Sequence, residues 1–312
     1  MEKSRHGIGE ILLGALMRAL GSLPLSFHRK MAKAVAWFLR DVMHYRSHVV
    51  MTNLSRCFPE KEYDELKRIH DRFYLHLATV FTEMIWFGAC RGDKGRARLH
   101  KSHIVEITNP EELNRMIRSG RQLMVMQAHT GNWELTGGIM NYSYSEPVQI
   151  DPAAIAVAYM RLHSGSAMNN IMEAVRTAPA ADTAFDGYVE ATNALRFALS
   201  RRSLASFVYM FITDQYPHVL FGSKAHPVFM GRQVVSMTGA AALASRLGMG
   251  LAYLRYGCRE GGGYSWTFVP IEEDASGKDP GVLMQKYYSL LEEDIRKQPW
   301  NYLWTHKRWT KK

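Results

Sequence analysis

From residue 104 onward, short apolar runs alternate with helix-like stretches, and this alternation restricts the chain more than any other feature. QLMVMQ (122–127), AIAVAYM (154–160) and LASFVYMFI (204–212) are short, and read as buried strands covered on both faces. Residues 107–120, 185–202, 239–248 and 280–297 carry helical patterns, with Gly120 and Gly248 as stops. GLAYLRY (250–256) and YSWTFVPI (264–271) read as paired strands around Gly261–Gly263. Strands interleaved with helices predict an α/β fold, a mixed, largely parallel central sheet flanked by helices.

The first hundred residues read differently. Tyr63, Leu66, Ile69, Phe73, Leu77, Phe81 and Met84 recur at three- and four-residue steps, a helix over 60–88. RGDKGRARLHK (91–101) is basic and glycine-containing, a connector. The chain therefore divides into an N-terminal helical segment, 1–100, and an α/β domain, 101–312, a size that fits one large domain with a helical annex. Residues 8–25 carry Glu10 and Arg18 and then meet Pro24. They fall short of the ~20 uninterrupted apolar residues of a membrane span. As a helix they gather Ile8, Leu12, Ala15, Leu16, Ala19 and Leu20 on one face, which suits either a membrane surface or a protein core. Residues 28–48 set Arg29, Lys30, Lys33, Arg40 and Arg46 against Asp41, with Trp37, Phe38 and Tyr45 interleaved. That is the chemistry of a membrane-surface element or of a solvated helix face.

Lys and Arg number 39 against 29 Asp and Glu, a net charge of +10. Such a balance favours an acidic partner: nucleic acid, anionic lipid or an acidic carrier protein. The basic residues are scattered and no nucleic-acid-binding signature occurs, so no nucleic acid is expected. Cys57, Cys90 and Cys258 stand far apart and form neither a disulfide framework nor a metal-ligand cluster, so no metal is expected.

GxSxG, HExxH, P-loop and GxGxxG motifs are all missing, which leaves serine hydrolases, zincins, NTPases and Rossmann dehydrogenases without support. What remains is His129-Thr130-Gly131-Asn132-Trp133-Glu134, between the strand 122–127 and a helix. Sites in open α/β sheets lie at the carboxyl ends of strands. Gly131 permits a tight turn, Asn132 suits an N-cap, and Glu134 falls in the first helical turn. A histidine here can take a proton from a hydroxyl if a carboxylate holds its tautomer. Glu134 and Asp214 are both available, Asp214 because it follows strand 204–212 as His129 follows 122–127. If those strands are parallel, both residues emerge at one sheet edge. The alternative is a turn histidine beside a helix-start acid.

HTGNWE resembles the H-x4-D/E signature of the lysophospholipid acyltransferase superfamily, and especially its branch of bacterial lipid A acyltransferases. RSHVVMTNLSRCFP (46–59), VAYMRL (157–162), TDQYPHVLFGSKAHPVFMGRQ (213–233) and QPWNYLWTHKRW (298–309) are similar to further blocks of that family, in the family's order. The chain departs from the pattern at Met160, at His226-Pro227 and at Lys307. The resemblance implies a glycerolipid acyltransferase-like fold and transfer of a fatty-acyl group from acyl carrier protein or acyl-CoA to a hydroxyl of an anionic lipid. It implies His129 as general base, Glu134 or Asp214 as its orienting partner, and substrate contacts from Gly131, Asn132, Arg161, Gln215 and Arg232, with Lys224 a further phosphate candidate. Backbone N–H groups around Gly131–Asn132 would receive the oxyanion. Arg176 is similar to a family arginine. No cofactor is implied. The expected place is a membrane surface, the cytoplasmic face of the bacterial inner membrane. Related branches acylate other lipids, and a thioester hydrolase or a lipid-binding protein could share the residues.

Overall fold

The computed structural model describes residues 8–160, 166–215 and 225–309, with backbone alone for 8–12 and 166. Five helices lead: α1 (Ile8–Ser22), α2 (Leu25–Trp37), α3 (Ser47–Cys57), α4 (Tyr63–Phe87) and α5 (Gly92–Lys101). The α4 helix begins where the Glu62 amide donates to the Glu65 carboxylate at 3.3 Å, a capping arrangement that satisfies an end donor. The expected connector at 91–101 is instead α5. Its pattern is hard to read because Leu99 is its single large apolar residue. Tertiary contacts hold it: Leu99 is buried, and Arg98 donates to the carbonyls of Gly21 and Leu23 at 3.0 and 2.6 Å while covering the Trp86 ring.

The sheet follows. Its strands are β1 (Val105–Ile107), β2 (Leu123–Gln127), β3 (Ile155–Tyr159), β4 (Tyr188–Glu190), β5 (Val208–Ile212), β8 (Gly250–Cys258) and β9 (Tyr264–Glu272), in the order β1-β9-β8-β2-β5-β3-β4. All neighbours are parallel except β8 and β9, the anticipated strand pair, which is antiparallel. The short ribbon β6 (Val228–Phe229) and β7 (Arg232–Gln233) stands apart. The helices α6 (Pro110–Arg118), α7 (Ser166–Arg176), α8 (Ala194–Ser200), α9 (Gly239–Leu247) and α10 (Pro280–Lys297) complete the chain. The mixed, largely parallel α/β fold is thus the one the alternation predicts.

β2 lies in the middle and every residue in it is buried, so its sequence shows no polar alternation. Met124 and Met126 face a core built with α3, α4, α9 and α10, and Leu123 and Val125 face a second core with α6 and the end of α4. The α10 helix starts at Pro280, with the Asp279 carboxylate accepting from Val282 N at 3.0 Å. The α9 helix stops at Gly248, whose φ of +63° suits glycine.

The single helix expected over 185–202 is broken. Its first part is the edge strand β4, and α8 forms only from Ala194. Hydrogen-bonding edge positions of β3 recruit Tyr188–Glu190, overriding local propensity. Strand β5 starts at Val208 rather than 204.

Candidate active site

β2 and β5 are adjacent and parallel, with Gln127 opposite Ile212. Two residues beyond each lie His129 and Asp214, so the parallel register brings them to the same sheet edge. His129 Nδ1 stands 2.8 Å from Asp214 Oδ1. Since an ionised carboxylate only accepts, this contact places the ring proton on Nδ1 and leaves Nε2 as the basic nitrogen. Gln215 Nε2 lies 3.3 Å from that Nε2. Trp133 packs edge-on against the imidazole, ring centroids 5.1 Å apart.

Asp214 is only 1% exposed. Burial pushes its carboxyl up, but the charge and hydrogen bond of His129, with Arg308 and His306 behind, outweigh burial and hold it below the ordinary carboxylate range. The carboxylate is therefore kept ionised beside the histidine.

Glu134, the other candidate partner, is engaged elsewhere. Arg176 grips it through Nε at 2.6 Å and Nη2 at 2.8 Å, and the Trp133 indole donates to it at 3.0 Å. Burial alone would lower the Arg176 guanidinium, yet Glu134 more than compensates and keeps it charged. Arg176 also donates to the Tyr188 hydroxyl at 3.2 Å, and Tyr188 stacks on Tyr159, centroids 4.0 Å apart. The ion pair ties α7 to the turn after β2 and walls one side of the site.

The turn itself corrects two expectations. The Gly131 amide, expected to face an oxyanion, donates to Asn301 Oδ1 at 2.5 Å. The Asn132 side chain does not cap the following 3₁₀ turn (Trp133–Asn141). It reaches the Glu83 carboxylate at 3.1 Å instead. Gly131 has φ +57°, and a Cβ there would sit 2.8 Å from the Tyr256 ring, so glycine is required on both counts. His76 packs against the Gly131 main chain, and burial lowers its pKa to about 4, so it stays neutral.

A cavity of about 540 Å³ opens at His129. Glu134, Arg176, Gln215 and Gln127 supply its polar wall, and Val157, Met160, Phe185, Phe211, Ile212 and Met237 supply apolar surface. Such a space, apolar with a few convergent polar groups, suits an elongated apolar ligand with one reactive end. Arg232 is exposed on β7 and is not part of this lining. Arg161 and Lys224 lie outside the described residues.

A sequence model described as "Bacterial lipid A biosynthesis acyltransferase" matches residues 4–311 of this chain. The chain belongs to that family. Among curated proteins it is 27% identical over 281 residues to the "Lipid A biosynthesis palmitoleoyltransferase" of Escherichia coli (strain K12), covering 86% of this chain and 80% of the relative. It is equally similar to the "Lipid A biosynthesis acyltransferase" of Shigella flexneri. The protein is thus an O-acyltransferase of lipid A biosynthesis, and the expectation from the resemblance holds at that level.

Within this acyltransferase, several site-forming residues gave no clear signal in isolation. Glu83 is the one acid on the mostly apolar buried face of α4, a departure that pattern reading could have marked. Asn301 sits in the C-terminal block, whose tryptophans draw more notice. Leu303 N donates to the His129 carbonyl at 3.0 Å, and Thr130 pairs with Tyr302, so this block is a strap across the turn that carries His129.

Proposed function

We propose that the enzyme moves a fatty-acyl group from an acyl thioester to a hydroxyl of an anionic lipid A precursor, with His129 as general base and Asp214 as its orienting carboxylate. The 2.8 Å contact of these two, with His129 lining the largely apolar cavity, carries the reading. His129 Nε2 takes the acceptor hydroxyl proton as the oxygen attacks the thioester carbonyl. The tetrahedral intermediate collapses, the carbon–sulfur bond breaks, and His129 returns the proton to the leaving thiolate. Asp214 stabilises the imidazolium throughout. Direct transfer fits the cysteines, none of which lines the cavity. Burial pushes the Cys90 and Cys258 thiols up to about 12. The apolar wall from Val157 to Met237 would take the acyl chain. Gln215 shapes the polar end, and Arg161 and Arg232 remain candidates for the acceptor's phosphate. The donor is acyl carrier protein or acyl-CoA.

The N-terminal helices, within the segment 1–100, would lie on the cytoplasmic face of the inner membrane. Among the described residues no helix is long and apolar enough to cross a membrane. Yet Trp37 is 57% exposed and Met43 55%, with Leu16, Phe27, Phe38 and Val42 also outward and Lys30 and Lys33 beside them. Exposed aromatic and aliphatic side chains among lysines suit an anionic interface.

Lipid mass spectrometry of host membranes with and without the gene tests the reading. The expected result is lipid A lighter by one acyl chain in the deletion. Loss of an acyl group from another lipid instead would move the acceptor, and acceptor-independent release of free fatty acid by the purified protein would point to hydrolysis.

A further inference from the structure

We propose that Arg308 is a positioning residue for the His129–Asp214 pair, acting through the Tyr288 hydroxyl on the main chain that carries Asp214; this rests on His129 being the base.

The α10 helix carries adjacent, fully buried tyrosines that reach both strand ends. Tyr287 donates to the Gln127 carbonyl at 2.7 Å, at the end of β2. Tyr288 donates to the Thr213 carbonyl at 3.5 Å, one residue before Asp214. The two strand ends are joined directly as well, since Thr213 N donates to Gln127 O at 3.0 Å. Arg308 fixes the second tyrosine: its Nη2 donates to the Tyr288 oxygen at 2.7 Å and to the Val235 carbonyl at 3.3 Å. Its guanidinium also lies over the Tyr288 and Phe229 rings, 5.2 and 5.7 Å from their centroids.

Packing alone is a poor reason to bury this charge. Arg308 is 4% exposed, and its Nε and Nη1 have no hydrogen-bond partner among the described residues. A buried guanidinium with idle donors is costly unless a counter-charge lies close. The Arg308 charge is one of those that hold the Asp214 carboxyl down. Among the described residues, the ionisable groups that act on Asp214 or feel it include His129, His306, Arg308 and the hydroxyls of Tyr287, Tyr288 and Tyr302. Burial pushes all three tyrosines up, so they stay neutral. Arg308 therefore supplies permanent positive charge behind a carboxylate whose other cationic neighbours among the described residues are histidines. Arg308 is also felt by Cys57, a neutral buried thiol.

The test compares wild type, Arg308→Gln, Arg308→Lys and Tyr288→Phe in the full-length protein, measuring kcat, KM, the pH profile of kcat and thermal stability. Losses of about 10- to 100-fold are typical when a group orienting a functional side chain is removed. R308Q should lose kcat on that scale with KM nearly unchanged. Its acid limb should move to higher pH, because removing a nearby positive charge makes Asp214 easier to protonate. R308K, which keeps the charge, should return the limb toward wild type. A lower melting temperature with an unmoved pH profile, or unchanged kcat, would overturn the proposal. If R308Q does not fold, Y288F decides: lower kcat at constant KM supports the role, and wild-type kcat overturns it. His129→Ala is run in parallel. If it is active, the general-base reading itself fails; if it is inactive while R308Q keeps its profile, only the role of Arg308 fails.

Discussion

Asn301 accepts the Gly131 amide at 2.5 Å, and its own amide donates to the Tyr256 carbonyl at 3.2 Å. A residue of the C-terminal block thus joins the His129 turn to β8. Asn301→Ala would leave the buried Gly131 N–H without a partner, a cost of about 1–3 kcal/mol. We expect a lower melting temperature together with reduced kcat. A variant of wild-type stability and activity would show that the strap does not hold the turn.

Asp214→Asn and His129→Ala probe the dyad. The amide of D214N can no longer balance an imidazolium and can select the wrong tautomer. Each variant should lose about 100- to 10,000-fold in kcat, the scale of general acid–base catalysis. Steady-state assays on folded protein check this, and retention of near-full activity by H129A is the decisive negative.

Glu134→Gln should act mainly on stability. It removes the carboxylate from the bidentate contact with Arg176, which is itself only partly exposed. A loss of about 1–3 kcal/mol is expected, discounted for that exposure. Arg176→Gln should cost a similar amount, and the double variant less than the sum. Chemical denaturation of the four proteins measures the coupling; strict additivity would mean that the pair contributes nothing.

Glu83 sets a pH dependence of stability. It is 1% exposed. Burial raises its carboxyl above the ordinary value despite Arg29, Asn132 and Tyr264, which oppose the shift. Protonation of Glu83 is therefore easier in the folded than in the unfolded state. The associated stability is fully present below the unfolded carboxyl value of ~4.3 and is lost as pH rises through the folded value. Glu83→Gln, neutral at every pH, should flatten that fall. Melting temperatures measured from acid to neutral pH would show it, and an unchanged slope would refute it.

Trp37→Glu with Met43→Glu tests the membrane face. Both positions are more than half exposed, so thermal stability should hold. Vesicle binding should weaken by about 10-fold or more, since two large apolar groups worth ~1.5–3 kcal/mol each on burial are replaced by charge. Equal binding in flotation assays would reject the interface.

The sheet was legible because a strand covered on both faces must be apolar throughout, as Leu123–Gln127 largely is. His129 and Asp214 stood out because each directly follows such a strand, and two parallel neighbours place such residues together. The α5 helix and strand β4 were not legible. Their conformations come from Arg98 on α1 carbonyls and from the open edge of β3, which no local pattern encodes.

The choice between Glu134 and Asp214 shows where local information ends. Spacing put both carboxylates within reach of His129, and no rule of propensity separates them. Arg176, arriving on α7, takes Glu134, and the β2–β5 register delivers Asp214 to Nδ1. The same holds for the Gly131 amide, free in any local reading and occupied once the C-terminal strap folds over it. Hydrophobic periodicity is a property of neighbouring residues and survives in one dimension. The partner of a buried polar group is settled by competition among groups distant in sequence, so it exists only after the elements have packed.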